Sequence, residues 1–171
     1  MSLPQPAALL DKMTRDLQSL MAKEQNQVLM IGIHTGGAWI AHHLHQSLNI
    51  DSELGLLDIS FYRDDFTQKG LHPQIKSSQL GDIEGKTVIL VDDVIMSGRT
   101  IRAAMNELFD YGRPQKIILA CLLDTGRREL PIQADVVGEK ITLTEDQRIK
   151  LGGPEPLTLS VATITKQGSP V

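Results

Sequence analysis

Apolar side chains recur every three or four positions between residues 7 and 23, at Leu9, Leu10, Met13, Leu17, Leu20 and Met21, a spacing that predicts a half-buried helix. The short apolar run Val28 to Ile33 follows, closed by His34-Thr35-Gly36-Gly37. Residues Ala38 to Leu48 return to a helical pattern, and Leu54 to Phe61 reads as a second strand. From Tyr62 to Gly85 the chain is polar and punctuated by Gly70, Pro73, Gly81 and Gly85. A stretch of that length without a core pattern predicts a mobile functional loop over 62–85, part of it a short hairpin.

The clearest unit comes next. Thr87-Val88-Ile89-Leu90-Val91 is β-branched and apolar, as expected of a strand buried on both faces of a parallel sheet. Ile101 to Tyr111 is helical, with Gly112 and Pro114 as stop signals, and Lys116 to Leu123 is a third buried strand. Strand, helix and strand at this spacing predict a right-handed βαβ crossover. Two such units in one chain imply an α/β fold: an open, mostly parallel sheet with helices on both faces. Ligands bind such sheets beyond the carboxyl ends of the strands, where both motif loops fall.

Composition narrows the class. The 171 residues fit one domain, 1–171, and with 41% apolar and 22% charged residues the chain reads as a globular protein. A net charge of -4 argues against a general nucleic-acid binder, although a local basic face stays open. Cys121 is the single cysteine, which excludes an intrachain disulfide and suits a reducing, cytoplasmic setting. Met1 to Pro6 has neither the basic start nor the apolar run of a signal peptide. No stretch approaches the roughly 18 apolar residues of a membrane span, so no membrane partner is expected.

Asp92 and Asp93 follow a buried strand directly, where carboxylates are costly unless partnered. Carboxylates only accept hydrogen bonds, which suits a pair of sugar hydroxyls. Val94-Ile95-Met96-Ser97-Gly98-Arg99-Thr100 then leads into a helix. Gly98 permits tight curvature, Ser97 and Thr100 supply hydroxyls, and the free N–H groups and dipole of the helix start favour a phosphate. Taken singly, each residue also fits a strand end or a helix cap. A phosphoacceptor receiver domain also has an acidic strand end, but it needs acids near the first strand and a later Lys, and has no use for Ser-Gly-Arg-Thr.

Val88 to Thr100 resembles the phosphoribosyl-pyrophosphate motif of type I phosphoribosyltransferases. Three further segments, Asp58 to Asp65, Gly112-Arg113-Pro114 and Asp124 to Asp135, are similar to the pyrimidine operon regulator family. The last contains an Arg128-Glu129-Leu130-Pro131-Ile132 block that adenine, hypoxanthine and orotate enzymes lack. The resemblance runs from about Leu9 to Ile141 and implies the type I phosphoribosyltransferase fold, with a small hood and a flexible loop. It implies two functions: a Mg²⁺-dependent uracil phosphoribosyltransferase making UMP and pyrophosphate, and a nucleotide-responsive regulator that binds the mRNA leader of pyrimidine genes. A homodimer or higher homo-oligomer is the implied assembly.

The resemblance also implies roles. Asp92 and Asp93 hold the ribose hydroxyls, and the turn to Thr100 binds the 5′-phosphate. Thr35, Gly36 and Gly37 line the pyrophosphate side, or form an ordinary strand-to-helix turn. Arg63 reaches the pyrophosphate from a lid over 63–80, or pairs with Asp64 or Asp65 at the surface. Val136 and Val137 contact the base, or are plain strand core. Thr14 and Arg15 match a Thr-Arg pair that faces RNA, with Gln18 where His is usual and Lys23 where Arg is usual. Arg127 and Arg128 add cations in a Gly-Arg-Arg-Glu segment where the family commonly has Gly-His-Arg-Glu. From Arg99 to Arg128 six cations stand against three acids, which is either an RNA face or scattered solvated charge.

The first loop departs from the family pattern. Thr35-Gly36-Gly37 stands where Thr-Arg-Gly is usual, which removes a bidentate donor for pyrophosphate. A weakly catalytic homologue that senses nucleotides and acts through a protein partner is therefore a competing reading, as is a phosphoribosyltransferase for another base. His42 and His45 share a helix face without a third ligand nearby, so no protein metal site is expected and Mg²⁺ arrives with the substrate.

Overall fold

Strands that are apolar at every position need cover on both faces, and the chain supplies helices on each side. A computed structural model describes residues 2–59 and 79–164. Along the chain lie helix α1 (Pro6–Met21), strand β1 (Val28–Ile33), helix α2 (Gly36–Leu48), strands β2 (Gly55–Leu57) and β3 (Thr87–Ile95), helix α3 (Arg99–Tyr111), and strands β4 (Lys116–Asp124), β5 (Val136–Lys140), β6 (Gln147–Gly152) and β7 (Thr158–Thr163). The first five strands form one parallel sheet in the order β2-β1-β3-β4-β5, and β6 and β7 form a separate antiparallel pair. β3 is central, and its neighbours β1 and β4 are, like it, mostly buried along their length.

Side chains of β3 divide between the two faces as strand geometry requires. Ile89 and Val91 pack with Leu9, Met13 and Leu17 of α1 and with Ile40 and Leu44 of α2. Val88 and Leu90 pack with Ile101, Ala104 and Leu108 of α3. Cys121 is fully buried in β4 on the α3 side. Its burial pushes the thiol pKa up, and the charges of Asp92, Asp124 and Asp93 push it the same way. It is an inert core residue.

The structure shifts several expected boundaries. β3 runs to Ile95, four residues beyond Val91, so both aspartates lie within the strand rather than in the turn. α2 begins at Gly36, not Ala38, because two glycines let its first turn press against β3. Of the strand expected over 54–61, the described residues form a strand at Gly55–Leu57, and residues 60 and 61 lie outside them. Of the segment 62–85, residues 62–78 lie outside the described residues. Gln79 bridges Leu56, and Ile83 is fully buried in the α3-side core. Among the described residues no helix is long and apolar enough to cross a membrane.

Helix α2 also packs closely on Gly32 of β1. A Cβ there would lie 2.7 Å from the Ala41 Cβ and 2.8 Å from the Ala38 Cα of α2. Gly32→Val should cost about 1–3 kcal/mol by overpacking and lower the melting temperature by roughly 2–10 °C in calorimetry. A variant that melts with the wild type would show that α2 can move away freely.

Candidate active site

Asp92 and Asp93 stand on β3 where it pairs with the end of β4: Asp92 faces Cys121 in the ladder and Ile95 faces Asp124. Asp92 is only 4% exposed, and one carboxylate oxygen accepts the Asp93 N–H at 2.9 Å. Asp93 is half-buried; one oxygen accepts the Val94 N–H at 2.8 Å, and its carboxylate lies against the start of α2. A Cβ on Gly36 would be 2.2 Å from the Asp93 Oδ2, and one on Gly37 would be 2.6 Å from the Val91 carbonyl. Glycine at both positions is thus what lets the first loop, Thr35 to Gly37, reach the acids. Any side chain at 36 displaces Asp93.

Beyond Ile95 the chain turns through Ser97 and Gly98 into α3. Gly98 has φ +91°, a left-handed conformation that favours glycine. The Arg99 N–H donates to the Ser97 hydroxyl at 3.2 Å. The following helix start carries N–H groups that no helix carbonyl can satisfy, the arrangement that attracts a phosphate. The turn is held from outside: the Ser97 carbonyl accepts the N–H groups of Glu129 and Leu130 at 3.0 and 3.1 Å.

An ion pair fixes that outer support. Asp124 ends β4 with its side chain 5% exposed, and Arg128 donates to it at 2.7 Å. The other arm of the guanidinium donates to the Met96 carbonyl at 2.8 Å, tying the β4 turn to the β3 turn. Burial alone would raise the Asp124 carboxyl pKa. The Arg128 hydrogen bond, the Gly126 N–H and the charges of Arg128 and Lys140 outweigh it and hold the group below the usual carboxylate range. Arg127 reaches the other way, donating to the Leu143 carbonyl.

These parts enclose a cavity of about 560 Å³ that runs from Asp93 along the turn to Thr100. Ile59 and Thr125 contribute to it, and its far wall is Leu143 with Gln147, Arg148 and Ile149 of β6. Nothing in a local reading of the turn points to β6. The signal that marks it is the alternation Arg148-Ile149-Lys150-Leu151, matched by Leu159 and Val161 in β7 across a Gly-Gly-Pro turn.

Residues 4–152 match the model of the phosphoribosyl transferase domain family. The chain belongs to the phosphoribosyltransferase family. Within this family it is 56% identical over 161 residues to the bifunctional protein PyrR of Pseudomonas aeruginosa (strain LESB58), covering 93% of this chain and 95% of that protein. Against the bifunctional protein PyrR of Pseudomonas fluorescens (strain ATCC BAA-477) it is 55% identical over 163 residues, covering 94% and 97%. A hypoxanthine-guanine phosphoribosyltransferase structure from Bacillus anthracis superposes with a TM-score of 0.66 at 26% identity, covering 82% of this chain and 83% of that one. The type I phosphoribosyltransferase fold and the resemblance to the pyrimidine regulator family both stand.

The cavity brings together only some of the residues picked out by the sequence. Asp93 and Val94 to Thr100 line the cavity, whereas Asp92 is not part of its lining and is buried beside Gly37; Gly36 abuts the Asp93 carboxylate. Arg63 lies outside the described residues. Val136 and Val137 do not line this cavity. They pair with Ala120 and Cys121, ahead of the strand ends at Asp124 and Lys140, and Val136 is buried in the core. Arg127 and Arg128 hold backbone and carboxylate groups of the fold instead of forming an open basic face. The Thr14 hydroxyl is turned to the Leu10 carbonyl of its own helix at 2.8 Å, while Arg15 is exposed.

Arg128→Ala leaves a buried carboxylate without its cation and should cost about 3 kcal/mol at neutral pH. In the wild type the depressed Asp124 pKa contributes stability that is present above the unfolded value near 4 and lost as pH falls through the lower folded value. In the variant burial dominates and raises that pKa. The difference in unfolding free energy between the two proteins should therefore shrink between pH 7 and pH 4 in denaturant titrations. A gap that does not change with pH would remove Asp124 as its cause.

Proposed function

We propose that this site transfers a phosphoribosyl group to uracil, giving UMP and pyrophosphate. We propose further that nucleotide occupancy tunes binding of the homo-oligomeric protein to mRNA leaders of pyrimidine genes. The observation that carries the first part is one cavity joining a carboxylate on the strand end to an amide-lined turn at the start of α3. Carboxylate acceptors beside phosphate donors match a ribose 5-phosphate, and the cavity extends past the sugar for a base. The reaction forms a bond from a uracil ring nitrogen to ribose C1 and breaks the bond from C1 to a pyrophosphate oxygen. The pyrophosphate leaves with the bonding pair, and the uracil nitrogen gives up its proton.

In this reading Asp92 and Asp93 orient the ribose while the turn from Met96 to Thr100 anchors the 5′-phosphate, so C1 is held in line for attack. The donor set suits a hard cation that keeps most of its own water. Asp93 lines the cavity, and among the described residues no group of three acids, histidines or cysteines could hold a metal ion. Mg²⁺ would then be held through one or two carboxylates and the phosphates of phosphoribosyl pyrophosphate, where it neutralises the leaving group. Arg63 is the residue of the lid that would meet the pyrophosphate. The missing arginine at position 36 bears on rate, and the contact between Gly36 and Asp93 means that restoring it would displace an acid. Gly36→Arg should therefore lower turnover in the assay below; a gain in turnover would favour the weakly catalytic, nucleotide-sensing reading.

The RNA limb rests on the family resemblance and on the exposed Arg15. Arg99 pairs with Glu129 at 2.8 Å and Lys116 with Glu24 at 2.6 Å. With Arg127 and Arg128 also occupied, few of the cations between Arg99 and Arg128 are free to meet phosphates. A filter-binding assay with pyrimidine-gene leader RNA, with and without UMP, should show affinity above unrelated RNA that UMP changes. Equal affinity for both RNAs would dispose of this limb.

For the enzyme, Asp93→Asn should lower uracil-dependent pyrophosphate release by about a hundredfold or more with melting unchanged. Wild-type turnover in that variant would end the assignment. The same assay run with adenine, guanine, hypoxanthine and cytosine should show uracil preferred.

A further inference from the structure

Resting on the reading just given, the cavity divides into three parts. Asp93 meets the sugar, and the turn from Ser97 to Thr100 meets the phosphate. What remains for the base is the wall of Val94, Met96, Leu143 and β6. A planar base commonly stacks on an aromatic ring, but no aromatic side chain lines this cavity among the described residues. The β6 side of the wall holds Arg148 instead. Arg99, Arg127 and Arg128 each donate to an oxygen of the fold, whereas Arg148 rests its guanidinium on the Met96 sulfur at 3.4 Å, a weak acceptor. Arg148 is exposed at the rim, flanked by Gln147 and by the inward Ile149.

We propose that Arg148 is the residue that covers the base, laying its guanidinium flat on the pyrimidine ring with Met96 beside it. A guanidinium is planar, delocalised and weakly hydrated, so it stacks on a π-face at low desolvation cost. The contact it gives up is the weak one to sulfur. The phosphate end already has its donors in the turn and helix start, which leaves the base as the moiety without a partner. Arg148 is thus a binding residue for the base and not for the phosphate.

The test compares UMP with ribose 5-phosphate, which carries the sugar and phosphate but no base. Arg148→Ala should weaken UMP binding about tenfold in calorimetry and leave ribose 5-phosphate binding unchanged. Arg148→Tyr, flat but uncharged, should recover most of the UMP affinity. The residue is exposed, and matched melting curves would show that all variants fold. Equal weakening of both ligands, or no weakening of UMP, overturns the proposal, as does a tyrosine variant no better than alanine. A wild type that binds neither ligand overturns this proposal together with the site assignment beneath it. UMP binding that survives Arg148→Ala but is lost in Asp93→Asn overturns this proposal alone.

Discussion

The Asp124 carboxylate sits at the end of β4, almost shut off from water, and such a charge persists only when it is paired and hydrogen-bonded. Arg128 meets that requirement, and because a guanidinium is a rigid fork its second arm is aimed at the Met96 carbonyl. One buried charge therefore couples two turns that are far apart in sequence. The parallel register of β3 and β4 brings Ile95 opposite Asp124, and the Thr125 N–H closes the gap by donating to the Ile95 carbonyl at 3.1 Å. The turn proposed to take the phosphate is consequently braced from its outer side, with the Met96 and Ser97 carbonyls held by Arg128, Glu129 and Leu130.

On the inner side the brace is steric. Gly36 and Gly37 let α2 begin directly against the strand that carries the acids, with the Asp93 carboxylate filling the space a side chain at 36 would take. The site thus rests on parts of very different character: a buried parallel sheet, two turns locked by hydrogen bonds, and a small hairpin forming the opposite wall.

Legibility followed burial. β1, β3 and β4 are readable because strands covered on both faces must be apolar at nearly every position, a pattern few other structures require. The α3 amphipathic spacing and the Gly98 turn are readable for the same local reason. β6 and β7 are half-exposed and short, with alternation spread over only a few residues, so their signal is faint. Arg127 and Arg128 were harder still. A cation looks the same in sequence whether it meets solvent, RNA or a buried carbonyl, and their partners Leu143 and Met96 lie 16 and 32 residues away.

The sequence alone determined the α/β class, the central strand, and the acid-and-turn motif, since each depends on residues within a few positions of one another. Only the tertiary structure decided that Val136 and Val137 lie outside the cavity lining, that the two arginines brace its turns, and that β6 contributes to its wall. Those outcomes depend on which strand ends lie side by side, a consequence of sheet order and register that no local pattern encodes.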